Sequence, residues 1–327
     1  MQIDIGNTVW NNNVILYYVG AGSHARPMMS WKIYIWRSNM RLAKDWKDYK
    51  LIDTMSGDKL EYWGEYKLRR PDPQVVWDIP GNKKQWSGLD GWYHRSSTGG
   101  GHWEFFNRLP ESWTISYKNL KFNIKPMGFK HTGLFPEQAV NWDYMIEKIK
   151  KANRPINVLN LFAYTGGATV ACASAGASVC HVDSSKGMVT WAKENINASG
   201  LADRPVRFIV DDVVKFVERE IRRGKKYDAI VMDPPSYGRG AKGEVWNIEE
   251  DLFGLIQKCT QILSDDPIFF LVNSYTSGLA PTIVKNILEL TVNKKVKGKI
   301  SSDEIGLPIE ESGLVLPCGI TTIWESE

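Results

Sequence analysis

Between residues 156 and 274, five apolar runs alternate with stretches of helical spacing: INVLNLFA (156–163), SVCHVD (178–183), VRFIVDD (206–212), YDAIVMD (227–233) and PIFFLVNS (267–274). Runs that are apolar throughout, rather than at every second residue, read as strands covered on both faces. Strands separated by helices pair in parallel, because each crossover carries the chain back across the sheet. The connecting segments GATVACASAG, SKGMVTWAKENINASG, VVKFVEREIRRG and EEDLFGLIQKCTQILS fit the helical role. A last helix, LAPTIVKNILELTVN, leads into KGKISSDEIGL and GLVLPCGITTIWES, which read as a closing antiparallel hairpin. The expectation is an α/β, Rossmann-like sheet of seven strands over residues 155–327, with residues 129–154 as linker and first helix (NWDYMIEKIKKAN).

The upstream half has a different texture. Most of the 14 tryptophans lie before residue 145, in segments such as KLEYWGEYKLRR, GWYHRSS, GHWEFFNRLP and SWTISYKNLKFNIKP, where strand-favouring aromatics are separated by turn residues. Residues 45–128 read as a small aromatic-rich α+β domain, mostly β, and residues 1–44 as an extension of no assigned role. A net charge of +4 does not advertise a polyanionic partner. Cys172, Cys180, Cys259 and Cys318 form no CxxC pair and no histidine cluster accompanies them, so neither a metal site nor a disulfide framework is expected. The first twenty residues lack a basic stretch followed by an apolar core, and no run approaches the ~18–20 apolar residues of a spanning helix. A soluble, cytoplasmic protein with no membrane partner is the expectation.

In an open parallel sheet, ligands bind beyond the carboxyl ends of the strands where strand order reverses. The first strand runs into NLFAYTGGATV, where Gly166 and Gly167 clear side chains from the turn and the helix start. The second ends at Asp183, where an acid accepts ribose hydroxyls or caps the next helix. The third ends at Asp211 and Asp212, placed to receive an adenine amine or to cap VVKF. The fourth ends in VMDPPSYGRG, an acid, two prolines and an aromatic in the place of a plain strand end. An NAD site shares the glycine turn and the second-strand acid, but G-x-G-x-x-G is absent, as is a P-loop.

These residues resemble a known family. NLFAYTGGATVACASAGASVCHVDSS, DDVVKFVERE and VMDPPSYGRG look like the class I S-adenosylmethionine-dependent methyltransferases, specifically the bacterial group that methylates the 23S ribosomal RNA of the large subunit. YWGEYKLRRPDPQVVW and KHTGLFPEQAVNWDYM are similar to the small domain that precedes the catalytic domain in that group, so the resemblance covers roughly residues 50–327. It implies S-adenosyl-L-methionine as cofactor and ribosomal RNA as partner. Phe162, Tyr164, Thr165 and Gly166 would surround the methionine part, with Gly167 and Ser184 among the cofactor contacts. Asp183 would hold the ribose hydroxyls, and Asp212 and Val213 would bracket the adenine. Asp233, Pro234, Pro235 and Tyr237 would floor the methyl-transfer site, with Asp233 also touching the cofactor. Segment 135–138 would close over it, although this chain has LFPEQA where the family often carries a basic or aspartate-bearing loop.

Methyl transfer from a sulfonium is an in-line displacement, so alignment and exclusion of water are the main requirements. A carboxylate held by rigid prolines accepts the N–H of an amine and turns its lone pair to the methyl group, while Tyr237 stacks on a flat ring. Methylation at cytosine carbon 5 needs a cysteine nucleophile. DPPSYG and LVNSYTSG contain none, and Cys172, Cys180 and Cys259 fall inside predicted helices and a strand; only Cys318 stays open. Nitrogen methylation of a base is therefore the expectation, the alternative being a methyltransferase retargeted to a protein or small molecule, or a cofactor-binding protein without RNA activity. Lys67, Arg69, Arg70, Arg239 and Lys242, interleaved with Trp63, Tyr66, Trp92 and Tyr93, form either an RNA surface or the small domain's core with its solvated face.

Overall fold

A computed structural model describes residues 40–96, 100–240, 243–276 and 278–327. Residues 1–39 of the expected extension, and Lys242, lie outside the described residues. Met40–Glu327 forms one compact unit. The aromatic half holds β1 (Arg41–Leu42), β2 (Tyr49–Met55), β3 (Asp58–Trp63), β4 (Tyr66–Pro71), β5 (Gly91–Arg95), β6 (Gly101–Phe105), β7 (Trp113–Tyr117) and β8 (Leu120–Ile124). Strands β2 to β6 make one sheet in sequence order and β7–β8 a separate hairpin. The helical content expected of this region is a single 3-10 turn, Lys83–Trp86, among the described residues.

The second half follows the predicted alternation: α1 (Ala139–Ala152), β9 (Asn157–Leu161), α2 (Gly167–Ser174), β10 (Ser178–Asp183), α3 (Lys186–Ala198), β11 (Val206–Val210), α4 (Val213–Arg222) and β12 (Ala229–Met232). A short hairpin, β13 (Tyr237–Arg239) and β14 (Val245–Asn247), precedes α5 (Ile248–Thr260), β15 (Phe269–Ser274), α6 (Pro281–Leu290), α7 (Val292–Lys295), β16 (Gly298–Pro308) and β17 (Val315–Ser326). The sheet runs β1-β16-β17-β15-β12-β9-β10-β11, with β9 to β12 and β15 parallel and β17 antiparallel to both neighbours. Seven of the eight strands are those expected. The eighth, β1, adds in parallel to the β16 edge from a segment read as extension.

Both faces of the central strands are buried, which is why they read as unbroken apolar runs. Val158, Ala229, Val231, Phe269 and Leu271 belong to one core, whereas Leu159, Ile230, Met232, Phe270 and Val272 belong to the other. The first core continues into the aromatic half through Trp142 of α1, which packs on Trp46, Tyr117 and Phe122 at ring separations of 5.9, 5.7 and 4.9 Å. The β7–β8 hairpin is tied to α3, since Trp191 Nε1 donates to the Asn123 carbonyl at 3.0 Å and the Asn123 N–H donates to Asn195 Oδ1 at 2.8 Å. No helix of the described residues is long and apolar enough to cross a membrane.

Strand order reverses on either side of β9: the chain steps from β9 to β10 and β11, then returns to β12 on the other flank. The crossovers part there, leaving a crevice beyond the ends of β9 and β12.

Candidate active site

The turn after β9 is held in an unusual conformation. Phe162 (φ +53°), Tyr164 (φ +50°) and Gly166 (φ +83°) are all left-handed, and two of the three carry side chains that disfavour that region. Neighbouring groups fix it in place. The Tyr164 N–H donates to Asp183 Oδ2 at 2.9 Å, Thr165 Oγ1 to the Gly133 carbonyl at 2.5 Å, and Asn195 Nδ2 to the Thr165 carbonyl at 2.8 Å. The two glycines have packing reasons as well: a Cβ on Gly166 would come within 2.9 Å of Ala192, and one on Gly167 within 2.9 Å of the Trp142 ring. Those approaches are to protein atoms, not to open ligand space.

A cavity opens where this turn faces the end of β12. Phe162, Tyr164, Thr165, Gly167 and Asp233 line it together with Phe135 and Gln138 of the segment before α1, Asn141 of α1 and Asn273 of β15. Asp183 stands one hydrogen bond behind the wall; its other oxygen accepts the Ser185 N–H at 2.8 Å. Burial raises its pKa against the pull of those two backbone donors. Ser184, half-buried, and Val213, buried, do not line this cavity. Asp212 caps α4, its Oδ1 accepting the Lys215 N–H at 2.9 Å, while Asp211 pairs with Arg219.

Asp233 follows β12 and is half-buried. Asn273 Nδ2 donates to its Oδ1 at 3.1 Å and Gln138 Nε2 to its Oδ2 at 3.4 Å. Burial pushes its pKa up to about 7; the Asn273 hydrogen bond opposes the rise and the nearby Glu137 charge adds to it. Pro234 is buried and Pro235 exposed, and the Pro235 carbonyl accepts Trp246 Nε1 at 2.7 Å. Trp246 also packs on Phe162 at 4.8 Å, so one indole links the proline turn to the left-handed turn opposite. Tyr237 stands on the β13–β14 hairpin, 56% exposed, its hydroxyl accepting Arg239 Nε at 3.2 Å. It belongs to the rim and not to the floor.

Several residues here escaped the reading of the chain. Gln138 belongs to segment 135–138, expected to close over the cofactor, but its link to Asp233 was not foreseen: it bridges Asp233 and the Tyr275 hydroxyl, to which Nε2 donates at 2.9 Å. Tyr275 donates to the buried Glu137 carboxylate at 3.0 Å. Asn273 inside FFLVNS was the available signal: a buried amide at a strand end needs a partner. The cysteines are sorted as well. Cys172, Cys180 and Cys259 are buried, and burial together with Glu137 pushes the Cys318 thiol well above its ordinary pKa, against the thiolate that covalent catalysis needs. The basic and aromatic residues resolve toward core: Trp63, Lys67, Arg70 and Tyr93 are buried, leaving Arg69, Tyr66 and Trp92 half-buried and Arg239 exposed.

A parallel sheet of this order with an antiparallel closing strand, a strained turn after its first central strand and an Asp-Pro-Pro element after the fourth defines a class I methyltransferase fold. The chain belongs to the S-adenosylmethionine-dependent methyltransferase family, whose model matches residues 92–264. It is 34% identical to a SAM-dependent methyltransferase from Agrobacterium tumefaciens, covering 88% of this chain and 93% of that one with a TM-score of 0.82. A putative methyltransferase complexed with SAH shares the fold at 22% identity and a TM-score of 0.66. Among curated proteins, it is 34% identical over 146 residues to the ribosomal RNA large subunit methyltransferase K/L of Shewanella frigidimarina (44% of this chain, 20% of that protein). It is 28% identical over 184 residues to the ribosomal RNA large subunit methyltransferase K of Neisseria meningitidis (56% and 51%). The chain thus matches about half or less of the length of these curated relatives.

The lining suits S-adenosylmethionine. Phe135, Phe162 and Tyr164 supply apolar faces and Gln138, Asp233 and Asn273 polar ones, while the N-terminus of α2 opens onto the cavity at Gly167 and Ala168 with the partial positive charge that favours a carboxylate. When bound, the cofactor supplies a sulfonium-linked methyl group.

Proposed function

We propose that this methyltransferase acts on a nitrogen of a base in large-subunit (23S) ribosomal RNA, in the cytoplasm. The observation that carries the proposal is Asp233, a half-buried carboxylate with both oxygens held by neutral donors and a pKa near 7. In this reading Asp233 accepts the N–H of the acceptor, holds the nitrogen lone pair toward the methyl group, and takes the proton as the N–C bond forms. Pro234 and Pro235 keep the turn rigid, Phe162, Tyr164, Thr165, Gly166 and Gly167 hold the methionine part, and Asp183 with Ser184 holds the ribose through lone pairs that the backbone donors leave free. Asp212 and Val213 face the adenine from the neighbouring strand end. Tyr237, exposed at the rim beside Arg239, is placed to meet an unpaired base. The names of the curated relatives support ribosomal RNA as the acceptor.

Transfer of tritiated methyl groups from S-adenosylmethionine to total ribosomal RNA, protein extract and small-molecule acceptors in parallel tests this reading. Label in 23S RNA, recovered as an N-methylated nucleoside, is the expected result. Label confined to protein or small molecules overturns the substrate, and label at cytosine carbon 5 overturns the chemistry.

A further inference from the structure

Asp233 is served by two hydrogen-bond arms that start from one side chain. Asn141, fully buried, donates from Nδ2 to Gln138 Oε1 at 2.8 Å and to Thr321 Oγ1 at 2.9 Å. Along the first arm, Gln138 Nε2 donates to Asp233 Oδ2. Along the second, Thr321 Oγ1 donates to Asn273 Oδ1 at 2.8 Å, and Asn273 Nδ2 donates to Asp233 Oδ1. The arms leave α1 and rejoin at the carboxylate, closing a ring built from four separate segments of the chain.

A side-chain amide alone can turn over and exchange its oxygen for its nitrogen. In this ring none is free to do so. Arg41 donates to Asn141 Oδ1 at 2.9 Å and to the Val140 carbonyl at 2.7 Å. A guanidinium has only N–H groups to offer and stays protonated, so the Asn141 atom that faces it must be oxygen and its nitrogen must face inward. Gln138 then presents oxygen to Asn141 and nitrogen to Asp233. Thr321, having received one N–H, gives its own proton to Asn273, which turns the Asn273 nitrogen to Asp233. Tyr275, having received from Gln138, gives its proton to Glu137 Oε1.

We propose that Arg41 and Asn141 are positioning residues for methyl transfer: through Gln138, Thr321 and Asn273 they hold both oxygens of Asp233 as acceptors and aim its remaining lone pairs at the methyl acceptor. The proposal rests on the reading of Asp233 as the group that receives the acceptor's N–H. It gives the two-residue edge strand β1 a task, since that strand carries Arg41 to the buried start of α1.

The test is a titration of Asp233 in the intact chain by NMR of carboxyl-labelled aspartate, with no cofactor and no RNA, the signal being assigned by its loss in Asp233→Asn. The other titratable groups facing Asp233 are Glu137 and Tyr275, with Cys318 behind them, and the Thr321→Val exchange alters none of them. Thr321→Val is neutral and nearly isosteric, but leaves Asn273 Oδ1 without its donor. It should raise the Asp233 pKa by about one unit and lower kcat about tenfold, with KM for S-adenosylmethionine within about twofold. Thr321→Ser should restore both values. Asn141→Asp keeps the Arg41 contact, reverses both arms and should shift the titration further. A folded Thr321→Val protein that titrates like the wild type, or a Thr321→Ser protein that does not recover, overturns the proposal. If Thr321→Val does not fold, Gln138→Met removes the other donor and must give the same upward shift. Because the titration uses neither cofactor nor acceptor, its failure is distinct from that of the functional reading, which fails if Asp233→Ala transfers methyl groups at the wild-type rate.

Discussion

Glu61 in the aromatic half and Asp233 at the cavity are both carboxylates withdrawn from water, and their surroundings drive them in opposite directions. Burial pushes Glu61 up, yet the Arg70 and Lys59 charges and hydrogen bonds from Arg70 and Tyr49 outweigh it and hold the pKa down to about 2. Arg70 grips it through Nε at 2.7 Å and Nη2 at 2.8 Å. Lys59 and Arg70 stand directly opposite each other on β3 and β4, an unfavourable pairing that Glu61 resolves by lying between them. Among the described residues Asp233 meets only neutral donors, so burial wins and its pKa rises to about 7. A carboxylate clamped by cations keeps one protonation state across the physiological range and serves structure. One clamped by amides changes charge near neutral pH, and so can serve proton transfer.

The widest contrast should come from removing each acid. Asp233→Ala is expected to lower kcat by about 10²–10⁴-fold while S-adenosylmethionine binding, followed by calorimetry, changes little. Glu61→Gln should do the reverse. With Arg70 left buried and uncompensated, the fold should lose about 3–5 kcal/mol in denaturant unfolding, and the folded fraction should keep its kcat. An Asp233→Ala protein as active as wild type, or a Glu61→Gln protein as stable, would erase the distinction between the two carboxylates.

Titration separates them next. Asp233 must be ionised to accept a proton, so kcat should rise with pH along a single acid limb centred near 7, and that limb should disappear with Asp233→Asn. The stability signs are opposite. The folded pKa of Asp233 lies above its unfolded value of about 4, so this group makes the fold less stable as pH rises from about 4 to about 7. Glu61, with a folded pKa of about 2, contributes stability that is full above about 4.5 and is lost as pH falls toward 2. Comparing unfolding free energies of wild type, Asp233→Asn and Glu61→Gln between pH 3 and pH 8 checks both windows. A stability slope between pH 4 and pH 7 that survives in Asp233→Asn belongs to another group.

The sequence and the structure agree wherever a signal is local. The central strands were legible because burial on both faces writes an unbroken apolar run, and the Asp-Pro-Pro turn was legible because prolines after an acid have no place in a plain strand end. Strand β1 was not, since two residues, Arg41 and Leu42, carry no periodicity. The ring around Asp233 was not, because Gln138, Asn141, Asn273 and Thr321 are each an ordinary polar residue until the fold brings them together. Asp212 is a different case: cap and ligand contact ask for the same residue at the same strand end, and the Lys215 N–H at 2.9 Å shows the cap through one oxygen without deciding the other use. Arg70 and Lys67 looked like surface charge because the acid that allows Arg70 to be buried, Glu61, sits on the neighbouring strand, beyond the reach of any pattern along one strand.

The smallest effect should fall at the rim, where the comparison of buried acids gives way to an exposed ring. Tyr237 rests on a hairpin of three residues a side, and its hydroxyl accepts a hydrogen bond from Arg239 Nε on the same hairpin. Its removal therefore costs the fold little. If it stacks on the acceptor base, Tyr237→Ala should raise KM for RNA about fivefold, the equivalent of roughly 1 kcal/mol of stacking, while Tyr237→Phe should keep the wild-type value because the ring and not the hydroxyl makes the contact. A raised KM in both variants would instead assign the work to the hydroxyl and Arg239. An unchanged KM in both would move the base away from the rim and leave Asp233 as the acceptor's sole anchor on this strand end.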